Sequence, residues 1–85
     1  MGNVAISITI VPNGPEVDIE DIKRRIREKI DVKDMKEEDI GFGLKNIKIM
    51  VIRPDVAGQG TDDLEEELSK IDGVSSVRVD DVTLI

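Results

Sequence analysis

The chain has 85 residues, a formal net charge of −7, 36% charged residues, and neither cysteine nor histidine. That length supports one hydrophobic core, and the missing residue types remove disulfides, thiolate metal sites, and the commonest general base and metal ligand. The acidic balance argues against nucleic acid or an anionic membrane as the main partner, since both demand a basic surface, and it suits a basic protein partner or simply solubility instead.

Residues Val4 to Val11 alternate strictly, with Val4, Ile6, Ile8 and Ile10 on one face and Ala5, Ser7, Thr9 and Val11 on the other, which predicts a half-buried strand. Pro12-Asn13-Gly14-Pro15 ends it. Asp18 stands where a helix N-cap belongs, and Ile19, Ile22, Ile26 and Ile30 follow at helical spacing, so the pattern predicts an amphipathic helix over Ile19–Ile30. Its outer face carries Lys23, Arg24, Arg25, Arg27 and Lys29 beside Glu20 and Glu28, a solvated face laced with ion pairs. Val32–Ile40 is heavily charged around Met35, which a strand tolerates only at a sheet edge. Gly41-Phe42-Gly43 separates it from an alternating strand with Ile47, Ile49 and Val51 on one face and Lys48, Met50 and Ile52 on the other. Arg53-Pro54-Asp55 stops that strand, and a loop containing Gly58-Gln59-Gly60 leads to Thr61, a good N-cap. Asp62 and Asp63 follow, where the helix dipole favours acid. Leu64, Leu68 and Ile71 mark a second helix ended by Asp72-Gly73. Val77 and Val79 continue as a strand whose apolar phase then slips to Val82 and Leu84, so a bulge is expected near Asp80-Asp81.

The order β-α-β-β-α-β fits a ferredoxin-like α+β sandwich, a four-stranded antiparallel sheet with both helices on one face, in a single domain over residues 1–85. The most apolar strands, Val4–Val11 and Ile47–Ile52, belong in the centre; the charged ones, Val32–Ile40 and Val77–Leu84, belong at the edges. Fold alone does not decide function. Gly58-Gln59-Gly60-Thr61 lacks the Gly-Lys-Ser/Thr ending of a phosphate loop. Ser, Thr, Lys and Met stand where an RNA-binding sheet would place stacking aromatics. Asp80-Asp81 offers a hard cation two carboxylates, too few to define a metal site. No paired acids converge as a catalytic dyad would, so no catalytic residue, metal or cofactor is assigned. No apolar stretch is long enough to span a bilayer, and the first residues lead into the strand pattern without a basic region or cleavage site, so a cytoplasmic location is expected.

Phe42 is the only aromatic residue. Set between Gly41 and Gly43, it reads either as a core plug beside a turn or as a ring presented to a partner. The run Ile-Gly-Phe-Gly-Leu-Lys-Asn-Ile-Lys-Ile over Ile40–Ile49 resembles the strand–turn–strand signature of the guanine nucleotide exchange domain of translation elongation factor 1-beta. Gly60-Thr61-Asp62-Asp63-Leu64-Glu65-Glu66 is similar to that family's Gly-Thr-Asp-x-Leu-Glu-Glu helix start, and Val79–Ile85 to its C-terminal strand. In length the chain is similar to the archaeal members.

The resemblance implies a factor that binds the GTP-binding elongation factor 1-alpha and speeds its GDP release during protein synthesis, with no covalent chemistry of its own. It makes Gly41, Phe42, Gly43 and Lys45 a docking segment for the partner's second domain, with Phe42 as the anchor. It also directs Thr83, Leu84 and Ile85 toward the magnesium site of the bound GDP. Eukaryotic relatives carry a penultimate lysine that competes with this magnesium. Leu84 occupies the matching position, which leaves the terminal carboxylate, an apolar wedge at Leu84-Ile85, or a displaced switch loop as the device. A monomer is expected when the protein is free. The alternative is a small ferredoxin-like regulatory or ligand-binding module that forms homo-oligomers through an edge strand or the open face.

Overall fold

A computed structural model describes residues 2–14, 16–54 and 62–85. The loop expected at Gly58-Gln59-Gly60, the cap at Thr61 and the Asp55 stop signal lie outside the described residues. The elements run β1 (Asn3–Pro12), α1 (Ile19–Lys29), β2 (Asp34–Gly41), β3 (Leu44–Pro54), α2 (Asp62–Ser69) and β4 (Val74–Leu84). They form one antiparallel sheet in the order β2-β3-β1-β4. The apolar strands are central and the charged ones lie at the edges, as their patterns require.

Cross-strand register explains why one face becomes the core. Ile6 pairs with Val51, Ile8 with Ile49, and Ile10 with Ile47, so six β-branched side chains project to the same side. Ile22 and Ile26 of α1, Leu64 and Leu68 of α2, and Ile71 close over them, and all eleven are buried. The Asp18 carboxylate caps α1 by accepting from the backbone N–H groups of Glu20 and Asp21. Lys23 ties the helix to edge strand β2 through Glu37 at 3.4 Å, and Lys29 reaches Glu67 of α2 at 3.7 Å.

The second helix is shorter than the apolar spacing predicts. It stops at Ser69, and the chain tightens into a turn in which the Ile71 N–H donates to the Leu68 carbonyl and the Val74 N–H to the Ile71 carbonyl. Ile71 therefore reaches the core from a turn rather than from a third helical layer. Gly73 takes φ +92°, where a Cβ would stand 2.9 Å from Val17 Cγ1. The helices are also shorter than the strands beneath them. At about 1.5 Å per residue α2 spans ~12 Å, whereas β4 at about 3.3 Å per residue spans ~36 Å. At the end of the sheet where β4 finishes, Val82 and Leu84 on the helix side are 50% and 69% exposed.

The phase slip in β4 is a bulge at Asp80. Thr9 pairs with Arg78 and Ile8 with Val79, but Ser7 pairs with Asp81 and Ile6 with Val82, which leaves Asp80 without an opposite residue. Because the side-chain period of a strand is two, that one extra residue keeps Val77, Val79, Val82 and Leu84 on the same side of the sheet.

Candidate functional site

The β2–β3 hairpin turns on two residues. Gly41 pairs with Leu44, and Phe42 and Gly43 between them take φ +57° and +74°, the pattern of a type I′ turn, which matches strand twist but requires positive φ at both positions. Gly41 adds φ +90° ahead of the turn, and its N–H donates to the Asp39 carboxylate at 3.0 Å. Asn, Asp or Gly normally occupy the first turn position; a phenylalanine there holds a left-handed backbone at a cost of roughly 1–2 kcal/mol. Packing among the described residues does not repay this, because Phe42 is 99% exposed. A core plug would be covered. The structure thus removes that reading and leaves a bare aromatic ring on a strained turn, the combination expected of a contact surface.

Lys45 follows on β3, directly opposite Asp39 and exposed. With Gly43 it borders a cleft of about 310 Å³ that continues along Glu37 of β2 and along Gly14, Asp18 and Glu20 around the start of α1. The predicted docking residues therefore share one end of the molecule.

Thr83, Leu84 and Ile85 lie at the other end. Thr83 pairs with Ala5 and Leu84 with Val4, and the Ile85 N–H donates to the Asn3 carbonyl at 2.9 Å, so the segment is held against the start of β1. The Thr83 hydroxyl donates to the Asp81 carboxylate at 2.9 Å. Leu84 and Ile85 are 69% and 65% exposed, and Val82 is half exposed beside them. The apolar phase of β4 slips to Val82 and Leu84, and the register puts Val82 on the core side opposite Ile6. Its exposure, like that of Leu84 and Ile85, is a feature that alternation alone does not reveal. Between the two ends β3 climbs from Leu44 to Arg53, which pairs with Val4, a separation of roughly 30 Å at ~3.3 Å per residue.

The open face of the sheet carries a cleft of about 340 Å³ bordered by Ser7, Lys36, Lys48, Met50, Asp80 and Asp81. Within it the Asp80 carboxylate accepts from the Thr9 hydroxyl and, at 2.8 Å, from Arg78 Nε. The Thr9 hydrogen bond, and after it the Arg78 guanidinium, hold the Asp80 carboxyl below the usual carboxylate range. Asp80 and Asp81 thus spend acceptor oxygens on internal donors rather than converging on a shared point. Among the described residues no group of acids is arranged to hold a metal ion, and no helix is long and apolar enough to cross a membrane.

A family model described as the EF-1 guanine nucleotide exchange domain matches residues 5–85, which takes in both ends of the sheet and everything between them. The chain belongs to this family. Proteins named elongation factor 1-beta align along its full length: that of Methanoculleus marisnigri is 47% identical over 85 residues, covering all of both chains. The protein of the same name from Methanosphaerula palustris is 44% identical over 99% of both chains, and that of Halorubrum lacusprofundi 38% identical over 96% of this chain and 97% of the relative. The exchange domain is therefore a guanine nucleotide exchange factor of translation elongation, of the archaeal kind in its relatives. Thr9 lies outside the three runs that resemble the family, and the structure sets it apart by burying it completely on the open face.

Proposed function

We propose that the whole chain acts as a single exchange domain on elongation factor 1-alpha, touching it at both ends of the sheet. Gly41, Phe42, Gly43 and Lys45 dock on the partner, with the Phe42 ring as the anchor. Val82, Thr83, Leu84 and Ile85 reach toward the magnesium and phosphates of the bound GDP. The observation that carries this reading is the fully exposed Phe42 ring on a left-handed turn, a costly arrangement that packing within the chain does not explain.

The mechanism is differential binding. A factor that binds the nucleotide-free partner more tightly than the GDP form must, by linkage, weaken GDP by the same factor. No bond is made or broken, so neither a proton shuttle nor a metal of the factor's own is required, and a chain without histidine or cysteine can do it. With Leu84 where eukaryotic relatives carry lysine, the exposed Leu84 and Ile85 side chains favour an apolar wedge that displaces the segments around the magnesium. The factor acts as a monomer in the cytoplasm, where translation proceeds.

Release of labelled GDP from purified elongation factor 1-alpha tests the reading, and acceleration with increasing amounts of this protein is the expected outcome. Phe42→Ala should weaken docking by about 2 kcal/mol, roughly 30-fold in Kd, with the melting temperature unreduced. Leu84→Ala should instead lower the maximal release rate while docking persists. No acceleration over a wide concentration range would sink the proposal, and so would a Phe42→Ala variant that docks normally.

A further inference from the structure

Thr9 is the only polar residue buried among the described residues, and it sits on the open face of the central strand β1, completely covered. Its register partners are Lys48 on one side and Arg78 on the other. A buried hydroxyl requires a hydrogen-bond partner, because leaving it unpaired costs free energy. That partner is the carboxylate of Asp80, the extra residue of the β4 bulge. The same carboxylate takes Arg78 Nε at 2.8 Å through its other oxygen. The bulge is therefore clamped to the middle of the sheet from one side and to its own strand from the other.

The clamp lies four residues before Leu84, and everything after it depends on the inserted residue. With Asp80 in place, Leu84 falls on the helix side opposite Val4 and Thr83 falls on the open side opposite Ala5. In a regular strand of the register that holds from Thr9 to Ile8, these two side chains would exchange faces. An edge strand has neighbours on one side only, so β1 alone holds the tail in either arrangement.

We propose that Thr9 and Asp80 are positioning residues for nucleotide exchange: the hydroxyl–carboxylate clamp fixes the β4 bulge and so aims Leu84 and Ile85 at the partner. This rests on the reading that the tail end reaches the nucleotide site. Neither residue touches the partner; each acts through the direction in which the tail side chains leave the sheet.

The test is GDP release from elongation factor 1-alpha, measured across a concentration series that separates the maximal rate from the half-saturating concentration. Thr9→Val keeps the size of the side chain and removes the hydroxyl, and Asp80→Ala removes the acceptor from an exposed edge strand. Both should lower the maximal rate by about tenfold or more, the scale of a misplaced contact group, while the half-saturating concentration, set by Phe42 at the far end, stays unchanged. Thr9→Ser restores the hydroxyl and should recover the rate. Faster amide hydrogen exchange at Val82–Leu84 in the free Thr9→Val protein is the matching structural readout. If folded Thr9→Val and Asp80→Ala both reach the wild-type maximal rate, the inference fails, even where their melting points fall. Leu84→Ala run in parallel separates the two levels: a reduced rate there with normal rates in the clamp variants overturns the clamp alone. A normal rate for Leu84→Ala overturns both the clamp and the reading beneath it.

Discussion

With Phe42 as the docking anchor proposed above, its substitution has opposite consequences for stability and for binding. Its φ of +57° places a bulky side chain where the turn prefers Asn or Gly, and its ring makes no contact that folding rewards. Phe42→Asn should therefore stabilise the fold by about 1 kcal/mol, raising the melting temperature by roughly 4–8 °C for a domain of this size, while weakening docking as strongly as Phe42→Ala. Thermal unfolding and a binding titration of the same preparation check both halves; an Asn variant that melts earlier would contradict the strain argument. The flanking glycines are needed for their backbone angles alone, since a Cβ at Gly41 or Gly43 would meet nothing within 4 Å. The sequence already showed a ring between two glycines, but not which way it pointed. That depends on whether Phe42 sits in the strand or in the turn, and a one-residue difference in hairpin pairing decides it. The irregular pairing between Asp39 and Gly41 is the kind of detail alternation cannot supply.

At the scale of elements, the strands and the α1 cap were legible because each rests on local chemistry: alternation for β1 and β3, the Asp18 carboxylate for α1, charge density for the two edges. The β4 bulge was legible as well, since a slipped apolar phase has few other causes. Less legible was the join between α2 and β4. Three apolar residues at helical spacing led the helix to Ile71, whereas the structure ends it at Ser69 and folds the rest into a turn that Gly73 completes. This turn is tightly built. Gly73→Ala must accept both φ +92° and a Cβ 2.9 Å from Val17, so a loss of about 1–3 kcal/mol is expected in chemical denaturation. A loss much smaller than that would mean the α2–β4 join relaxes freely. The Thr9–Asp80 clamp was not legible at all, because it links residues 71 positions apart and depends on a register that no local pattern reveals.

For the molecule as a whole, two carboxylates report the fold's response to acid. Asp63 is held below the ordinary range chiefly by hydrogen bonding to Arg53, whose two terminal nitrogens lie at 3.1 and 3.0 Å, and Asp80 by Thr9 and then Arg78. A carboxyl that ionises more readily when folded than when unfolded leaves the unfolded chain holding more protons in the acid range, so stability there rises with pH. Their contribution is complete above the unfolded carboxylate value of about 4 and is lost as pH falls through the lower folded values. Urea denaturation from neutral pH down to about pH 2 should show this loss, and Asp63→Asn with Asp80→Asn should flatten the acid limb. An unchanged acid limb in the double variant would assign the loss to other groups.

The distance between the hairpin and the tail has a kinetic meaning too. Both ends lie on the same sheet, β3 starting at the hairpin and β4 pairing through β1 to its last residues, so no flexible linker separates them. On the two-ended docking proposed above, once one end has docked the other meets its target at an effective concentration set by a stiff spacer of matched length rather than by the bulk solution. A weak second contact then suffices to disturb a tightly held nucleotide. Cutting the molecule into two peptides should abolish exchange even if each peptide retained its own contact.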